Sequence, residues 1–340
     1  MQAIRDVVRL FDHRPWAAHL YVTDQCNLDC HYCNEYDNSV PHPSLEDLTA
    51  WMTKIRELGV VRLGFQGGEP LLHPDVVELT RIAKHELGFE KVSMSTNAFL
   101  LTEELVHRLA RAGLDSLQFS IDRKTPSEGT RKSLQTVQHK LSWFDSSPIN
   151  VQVSGVVSDE TVDEARQVVD ECLELGVAAH ARLVHDDLVN DRRLRSCPDT
   201  APMLDLLEYQ AHRKREGDKV HSTWAILDYQ EASLKNEELD WTCVAGYKYF
   251  FVSAQGLFWL CSQVRTGQHI LDISEDDLLA YNEKKECQQG CGVYCTVDMS
   301  FAVGHPARYL MREVLGLVGS GLRGLAKPSI SERLEPKVTT

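Results

Sequence analysis

Ten cysteines are the residues of this 340-residue chain whose type and spacing could do chemistry. Three of them, Cys26, Cys30 and Cys33, fall within eight residues at the spacing CX3CX2C. Three thiolates this close suit a soft metal or an iron–sulfur cluster, and a [4Fe–4S] cube would keep one iron without a cysteine. The same spacing also fits a zinc knuckle with His31 as fourth ligand, or a ferredoxin loop completed by a distant cysteine.

A second group of five cysteines lies near the end of the chain. The first two follow the spacing CX12GX4C, and the other three are four residues apart. A zinc ribbon and an iron–sulfur cluster both use ligands of this kind, so the spacing alone leaves both open. The five residues are Cys243, Cys261, Cys287, Cys291 and Cys295.

Composition limits where the protein works and what it binds. The 36 Lys and Arg residues face 50 Asp and Glu, giving a net charge of −14. Such a chain repels nucleic-acid phosphates, so we expect no nucleic-acid partner. The sequence shows neither the apolar core of a signal peptide nor a run that could span a membrane, which predicts a cytoplasmic protein. Thiols stay reduced there, so the clustered cysteines indicate metal or redox chemistry rather than disulfides.

Short apolar runs alternate with helical periods through the first half of the chain, as in an α/β protein with a parallel sheet. We predict a doubly wound sheet or a partial (β/α)6 barrel, and in both the chemistry belongs at the carboxyl ends of the strands. Helices are predicted to start near Ser44, Pro74, Thr102, Thr130 and Asp159. The predicted strands are residues 19–23, 61–66, 91–96, 116–121, 150–157 and 178–183.

After these alternations the pattern changes. Residues 184–200 are polar, leave the carboxyl end of the last strand, and so should lie over the site. Two helices are predicted at 202–216 and 222–236. Residues 247–253 and 256–260 are typical of a β-hairpin, with a cysteine beyond each outer end.

The first cysteine group and the segment after the second strand together resemble the radical S-adenosylmethionine (SAM) superfamily. Gly67, Gly68, Glu69 and Pro70 stand where that family has its GGEP motif, one strand after its CX3CX2C loop. The resemblance implies that the glycines let backbone groups approach SAM and that the carboxylate accepts hydrogen bonds from its ammonium group. It extends over most of residues 17–185.

The resemblance implies further SAM contacts near the ends of the next strands. Tyr32 matches the family's aromatic residue beside the adenine, and Arg131 resembles an arginine that some relatives use on the methionine carboxylate. Each of these positions also has a structural interpretation, as a cap, a turn former or a core residue. The remaining implied contacts are Ser95, Asn97, Ser120, Asp122 and Val156.

The implied chemistry is radical. The open iron of a [4Fe–4S] cluster binds SAM, one electron cleaves a carbon–sulfur bond, and the 5′-deoxyadenosyl radical removes a hydrogen atom from the substrate. A donor such as flavodoxin or ferredoxin would supply the electron. The implied outcome is epimerisation, dehydrogenation or rearrangement.

The second cysteine group resembles the opening of a SPASM or shorter twitch domain, but lacks the full cysteine pattern. We expect one auxiliary cluster, a [4Fe–4S] by the resemblance, held by Cys243, Cys261 and two of the other three, with Cys291 and Cys295 favoured. Cys197, in the polar loop, could return a hydrogen atom to a substrate radical, although an ordinary loop thiol is the simpler interpretation. The predicted division is an N-terminal extension 1–16, a core barrel 17–225, an auxiliary-cluster domain 226–300 and a tail 301–340.

The sequence leaves two classes of substrate to consider. A small molecule such as a sugar, aminoglycoside or lipid precursor is favoured over a peptide, because only about sixteen residues precede the first strand, too few for a leader-binding domain. The basic stretch 308–327 could contact a membrane surface, but its glycines favour packing on the barrel. The alternative of another class is a non-catalytic iron–sulfur or zinc protein.

Overall fold

A computed structural model describes residues 9–158, 161–192, 199–288, 290–319 and 330–334. One nine-stranded sheet runs through it in the order β6-β5-β4-β3-β2-β1-β7-β8-β9. The first six strands are all parallel, each paired with the next in sequence. They are β1 (Ala17–Thr23), β2 (Arg62–Gly67), β3 (Lys91–Thr96), β4 (Ser116–Ser120), β5 (Asn150–Val157) and β6 (Ala178–Leu183).

The predicted α/β class and parallel sheet are confirmed. Residues on one face of the strands line an internal cavity, and those on the other face pack against helices, as in a partial barrel. Three strands have the predicted bounds, Lys91–Thr96, Asn150–Val157 and Ala178–Leu183. All six carboxyl ends therefore lie at the same edge of the sheet, where the cysteine loop follows β1.

The helices connecting these strands begin within about four residues of their predicted starts. Ser44 and Thr102 cap two of them, each accepting a hydrogen bond from a backbone amide in the first turn. Apolar stripes face the sheet: Leu48, Met52 and Ile55 of the first helix are fully buried. The helices are α1 (Leu45–Glu57), α2 (Val76–Arg81), α3 (Glu103–Ala112), α4 (Leu134–Val137) and α5 (Val162–Glu174).

The carboxyl-terminal part continues the same sheet. Its strands are β7 (Tyr249–Val252), β8 (Leu257–Trp259) and β9 (Arg265–His269). The first two form the predicted hairpin, with Phe251 opposite Trp259, and β7 pairs parallel with β1. The two cysteine-rich regions are thus joined through one hydrogen-bonded edge. The later helices are α6 (Ala201–Arg215), α7 (Trp224–Leu234), α8 (Glu275–Ala280), α9 (Tyr294–Gly304), α10 (Pro306–Gly319) and α11 (Ile330–Leu334).

The described part of the basic stretch packs on the protein. In α10, Arg312 pairs with Asp228 of α7 and Glu313 with Lys214 of α6. Residues 320–329, with the rest of the predicted basic face, lie outside the described residues. Within the described ranges, no helix is long and apolar enough to cross a membrane.

Candidate active site

The loop after β1 places three cysteines beside hydrogen-bond donors. The Cys26 Sγ accepts from the backbone N–H of Leu28 at 3.5 Å, and the Cys33 Sγ from that of Glu35 at 3.4 Å. The Cys30 Sγ lies 3.4 Å from the Thr130 hydroxyl. Hydrogen bonds to sulfur are a feature of iron–sulfur ligation, so the loop fits thiolate ligands of a cluster.

Burial acts against these thiolates while they carry no metal. It raises the pKa of Cys26, and it raises the pKa of Cys33 to about 11. A positive metal centre would offset this desolvation, since coordination deprotonates a thiol outright. His31, the fourth ligand in the zinc-knuckle alternative, has its Nδ1 2.8 Å from the Gly129 carbonyl oxygen, so this ring nitrogen already has a partner.

Tyr32 connects the cysteine loop to the strand ends. Its hydroxyl donates to Asp122 Oδ2 at 2.6 Å, and Asp122 Oδ1 accepts from the backbone N–H of Val156 at 3.1 Å. Lys132 Nζ donates to the Tyr32 hydroxyl at 3.0 Å, and the Thr130 hydroxyl donates to Asp122 at 3.1 Å. Asp122 is 1% exposed, so these bonds compensate its lost hydration. Three residues expected near SAM thus lie in one network, and Lys132 and Thr130 are additions that their spacing did not indicate.

Glu69 is as deeply buried as Asp122. Its carboxylate is 1% exposed and accepts hydrogen bonds from Leu71 N, the Thr96 hydroxyl and Asn97 N, at 3.1, 2.6 and 2.7 Å. Burial raises the pKa of this carboxyl group, while these bonds counteract the rise. A carboxylate offers about four acceptor sites, so one more donor, such as an ammonium group, can still be accommodated.

The two glycines before Glu69 allow close approach to the chain's own backbone. Gly67 has φ of +144°, and a Cβ on it would lie 2.1 Å from the Thr23 carbonyl oxygen. A Cβ on Gly68 would lie 2.3 Å from the Gln25 carbonyl oxygen. Any larger residue would therefore push β2 away from the start of the cysteine loop.

Ser95 belongs to a polar row that crosses the inner face of the sheet. Its hydroxyl oxygen accepts from Gln66 Nε2 at 3.1 Å and Gln118 Nε2 at 3.4 Å, and Gln152 Nε2 donates to Gln118 at 3.1 Å. All four side chains line the central cavity. The sequence signal for this row is a polar residue at every second position of otherwise apolar strands, which marks a face turned to a polar interior.

The other expected contacts are more dispersed. Asn97 donates from Nδ2 to Asn27 Oδ1 at 2.8 Å, which joins the end of β3 to the cysteine loop. Ser120 is partly buried at the end of β4. Arg131 is exposed, with its guanidinium 3.8 Å from the Asp29 carboxylate. Cys197 lies outside the described residues.

The polar segment after β6 does contact the cysteine loop. The Asp187 carboxylate accepts from Asn34 Nδ2 and from Arg192 Nε, the latter at 2.7 Å. Arg192 in turn donates to the carbonyl oxygens of His31 and Cys33 at 2.7 and 3.2 Å. We call the set Asn34, Asp187 and Arg192 the Asp187 clamp. It covers the outer side of the loop. The sequence predicted that residues 184–200 lie over the site, but it did not single out these three residues.

The second cysteine group forms a pocket of about 470 Å³. Cys243, Cys261, Cys287 and Cys291 line it, and burial raises the pKa of Cys261 to about 12. The Cys291 Sγ accepts from Val293 N at 3.4 Å. Four thiols around one pocket fit an iron–sulfur cluster of their own, and we call the space between them the auxiliary cysteine pocket.

Cys295 does not line that pocket. It lines the central cavity, where the Tyr249 hydroxyl bonds to its side chain and to His19 Nε2, the latter at 2.8 Å. The structure places Cys243, Cys261, Cys287 and Cys291 around one pocket, and places Cys295, which the sequence favoured over Cys287, apart from it. In the described ranges no three His, Cys, Asp or Glu side chains are grouped closely enough to hold a single ion.

The central cavity, about 500 Å³, is bordered by residues that are sequence neighbours of both cysteine groups. Tyr32 of the first loop and Cys295 of α9 both line it, as does Val156. This volume is within the range of small-molecule sites. A reactive group formed at the cysteine loop would face this partly polar interior.

Residues 20–144 match the model of the Radical SAM superfamily. The chain therefore contains a radical SAM domain, and the cofactors that this domain implies are a [4Fe–4S] cluster and SAM. The match includes the CX3CX2C loop, Glu69 and Asp122, which the structure brings to one edge of the sheet.

Curated relatives match part of the chain. A probable GTP 3′,8-cyclase of Saccharolobus solfataricus is 33% identical over 167 residues, covering 46% of this chain and 52% of the relative. A GTP 3′,8-cyclase of Picosynechococcus is 32% identical over 190 residues, covering 50% of this chain and 57% of the relative. The chain thus spans about half the length of the curated relatives that it matches.

The solved structures extend the likeness of fold beyond the core. Streptococcus suis SuiB bound to precursor peptide SuiA superposes with a TM-score of 0.61 at 18% identity, covering 85% of this chain and 70% of SuiB. Native anSMEcpe with bound AdoMet also gives 0.61, at 16% identity, covering 88% of this chain and 100% of that one. At these identities the likeness concerns the fold alone.

Proposed function

We propose that this protein is a radical SAM enzyme acting on a small molecule held in the central cavity. When bound, the cluster supplies the electron that cleaves SAM to a 5′-deoxyadenosyl radical, which removes a hydrogen atom from the substrate. The observation that carries the proposal is the bridge through Asp122, because it fixes the cysteine loop to the ends of β4 and β5 above the cavity.

The chain's own residues would bind and orient SAM. Cys26, Cys30 and Cys33 would hold three irons, and the spare acceptor capacity of Glu69 suits the ammonium group of SAM. Tyr32 and Val156, both at the cavity wall, would enclose the adenine. The Asp187 clamp would limit water at the outer side of the loop, which a reactive radical requires.

We propose that residues 17–225 form the catalytic core and residues 226–300 an auxiliary-cluster domain. Cys243, Cys261, Cys287 and Cys291 would hold the auxiliary cluster, which would pass electrons to or from the cavity. A one-electron donor such as flavodoxin or ferredoxin would reduce the catalytic cluster.

Anaerobic reconstitution followed by reduction in the presence of SAM tests the proposal. We expect about eight irons per chain and the release of 5′-deoxyadenosine. Zinc in place of iron, with no 5′-deoxyadenosine, would instead support a non-catalytic metal protein. Cys172→Ala is a matched control, because Cys172 is buried in α5 away from both sites.

Two alternative substrates can be compared directly. The names of the curated relatives make a nucleoside triphosphate one candidate, and the peptide bound to SuiB makes a ribosomal peptide another. The first likeness covers about half of each chain, and the second is a likeness of fold at 18% identity. Consumption of GTP with 5′-deoxyadenosine formation would favour the first, and dependence on a peptide would favour the second.

A further inference from the structure

The central cavity lies between the two cysteine regions and has a polar wall. Tyr32 borders it on the side of the first loop, and Cys295 on the side of α9. A substrate placed here could reach SAM at one end and the auxiliary cysteine pocket beyond the other.

Two of the basic side chains that line the cavity, His19 and His221, are neutral at pH 7, and so is His180, which stacks on His221. Burial lowers the pKa of His19 and of His221 to about 4, and it lowers the pKa of His180 well below its usual value. A histidine with such a pKa is uncharged in neutral solution. Arg182 differs, because a guanidinium keeps its proton even where burial lowers its pKa.

Among the arginine and lysine side chains that line the cavity, Arg182 lies nearest the carboxyl ends of the strands. It is the second-last residue of β6 and pairs in register with Val156, whose amide binds Asp122. Arg62 and Lys91 also line the cavity, but they begin their strands and so lie at its opposite end. Arg182 alone of these three stands beside the residues expected near SAM.

The guanidinium of Arg182 lacks a full set of partners. Its Nε is buried and has no hydrogen-bond partner among the residues that the structure describes. It lies 5.7 Å from the centre of the Tyr294 ring. The nearby Asp298 carboxylate already accepts from the Thr223 and Tyr309 hydroxyls, at 2.5 and 3.1 Å. An incompletely paired cation inside a protein costs free energy, which a bound anion would recover.

We propose that Arg182 anchors an anionic group of the substrate, a carboxylate or a phosphate, inside the central cavity. The planar fork of a guanidinium suits two parallel hydrogen bonds to either group. Glu35 and Asp298 also line the cavity. Glu35 accepts from the Tyr21 hydroxyl at 2.8 Å, and Asp298 is close enough to Arg182 for their charges to interact but forms no ion pair with it within 4 Å among the described residues. A polycationic substrate such as an aminoglycoside is disfavoured by the same charge. That the bound anion is part of a substrate rests on the proposed function. The anion site beside Arg182 does not depend on it.

The test is calorimetric titration of the anaerobically reconstituted full chain, without SAM or reductant. The probes are inorganic phosphate and succinate, in separate titrations. We expect one of them to bind, and Arg182→Gln to weaken it by about tenfold or more, as for the loss of a charged hydrogen bond. Tighter phosphate binding assigns a phosphorylated substrate, and tighter succinate binding a carboxylate.

Arg312→Gln is the matched control, because it removes an exposed guanidinium paired with Asp228 on the surface. If Arg182→Gln fails to fold, Arg182→Met keeps the apolar stem and serves as the second neutral variant. Equal affinity in the wild type and the neutral variant, or no binding of either probe, would overturn the proposal. Formation of 5′-deoxyadenosine is measured separately, so its failure would count against the proposed function and not against the anion site.

Discussion

The first cysteine loop and the auxiliary cysteine pocket bring their thiols together by different routes. Cys26, Cys30 and Cys33 are neighbours in sequence, and one loop after β1 is enough to group them. The pocket takes one cysteine from before the hairpin, one from after it, and two from a segment more than twenty residues further on. Local spacing therefore defines the first group, whereas the whole carboxyl-terminal fold must form before the second exists.

The two regions also differ in how they are secured. Side chains from several elements hold the first loop: Asp122 binds Tyr32 from within, and Asp187 binds Asn34 from outside. Backbone amides donate to sulfur in both regions, from Leu28 and Glu35 in the first and from Val293 in the second, so these long-range side-chain bonds are an added support of the first loop. Polar side chains can be replaced one at a time, so the first site should respond to single substitutions that leave the second unchanged.

The largest expected effect is the loss of the first site alone. Cys30→Ala removes one of three ligands of a cluster that has no spare cysteine, so 5′-deoxyadenosine formation should fall to background. Iron content should fall by about four per chain, from about eight. The measurements are iron analysis and chromatography after reduction with SAM.

Cys172→Ala is the control for that variant. It removes a buried thiol on the inner stripe of α5, at a cost of about 1 kcal/mol in stability, and should keep the iron. Persistent 5′-deoxyadenosine formation in Cys30→Ala would mean that SAM cleavage occurs elsewhere.

A second substitution pair tests the membership of the auxiliary cysteine pocket. Cys287→Ala should remove about four irons per chain, whereas Cys295→Ala should keep them, because Cys295 lines the central cavity instead. Iron analysis and the Mössbauer spectrum of each variant provide the measurement. The reverse result would show that the sequence spacing, which favours Cys291 and Cys295, identifies the ligands better than the fold does.

This contrast also explains how far the sequence could be interpreted. The parallel strands and the hairpin were predictable, because apolar runs and turn residues are local signals. Strand β9 was not, since Arg265–His269 is polar and partly exposed, without apolar alternation. Helix α9 was missed because Tyr294–Gly304 is apolar around most of its circumference and has no capping side chain.

Within the site, too, the residues that could be predicted are those with a local sequence signal. Glu69 and Asp122 could be named because they belong to short motifs at strand ends. Lys132 and Asp187 could not, because their partners Tyr32 and Asn34 are about 100 and 150 residues away. Pairings over such distances depend on the closed fold and leave no periodic signal in the sequence.

Substitution in the Asp187 clamp should have an effect of intermediate size. Burial raises the pKa of Asp187, but hydrogen bonds from Asn190, Asn34 and Arg192 outweigh it and hold the pKa well below its usual range. Asp187→Asn should lower the free energy of unfolding by about 2 kcal/mol at pH 7. It should also speed the loss of iron from the first site to a chelator, leaving the second unchanged.

The pH dependence has a definite sign. Because the folded pKa is depressed, the stabilisation by Asp187 is complete above its ordinary pKa of 3.8 and is lost as pH falls towards the folded value. The difference in melting temperature between wild type and Asp187→Asn should therefore shrink below pH 3.8. Asp240→Asn, at an exposed carboxylate, is the control. A difference that stays constant down to about pH 3 would contradict an electrostatic role.

The prediction with the smallest expected effect concerns whether the two cysteine regions unfold together. Ser44 caps α1 and Ser274 caps α8, and each accepts from the amide of an Asp three residues on, at 3.0 and 3.2 Å. Either Ser→Ala change should cost about 1 kcal/mol, because the chemistry of the caps is the same. Since β7 pairs with β1 in one sheet, we expect both variants to lower the same thermal transition by about 2 °C. If Ser274→Ala instead produced a separate early transition with loss of only the second iron site, the auxiliary region would be an independent folding unit and the shared edge would contribute little to cooperativity.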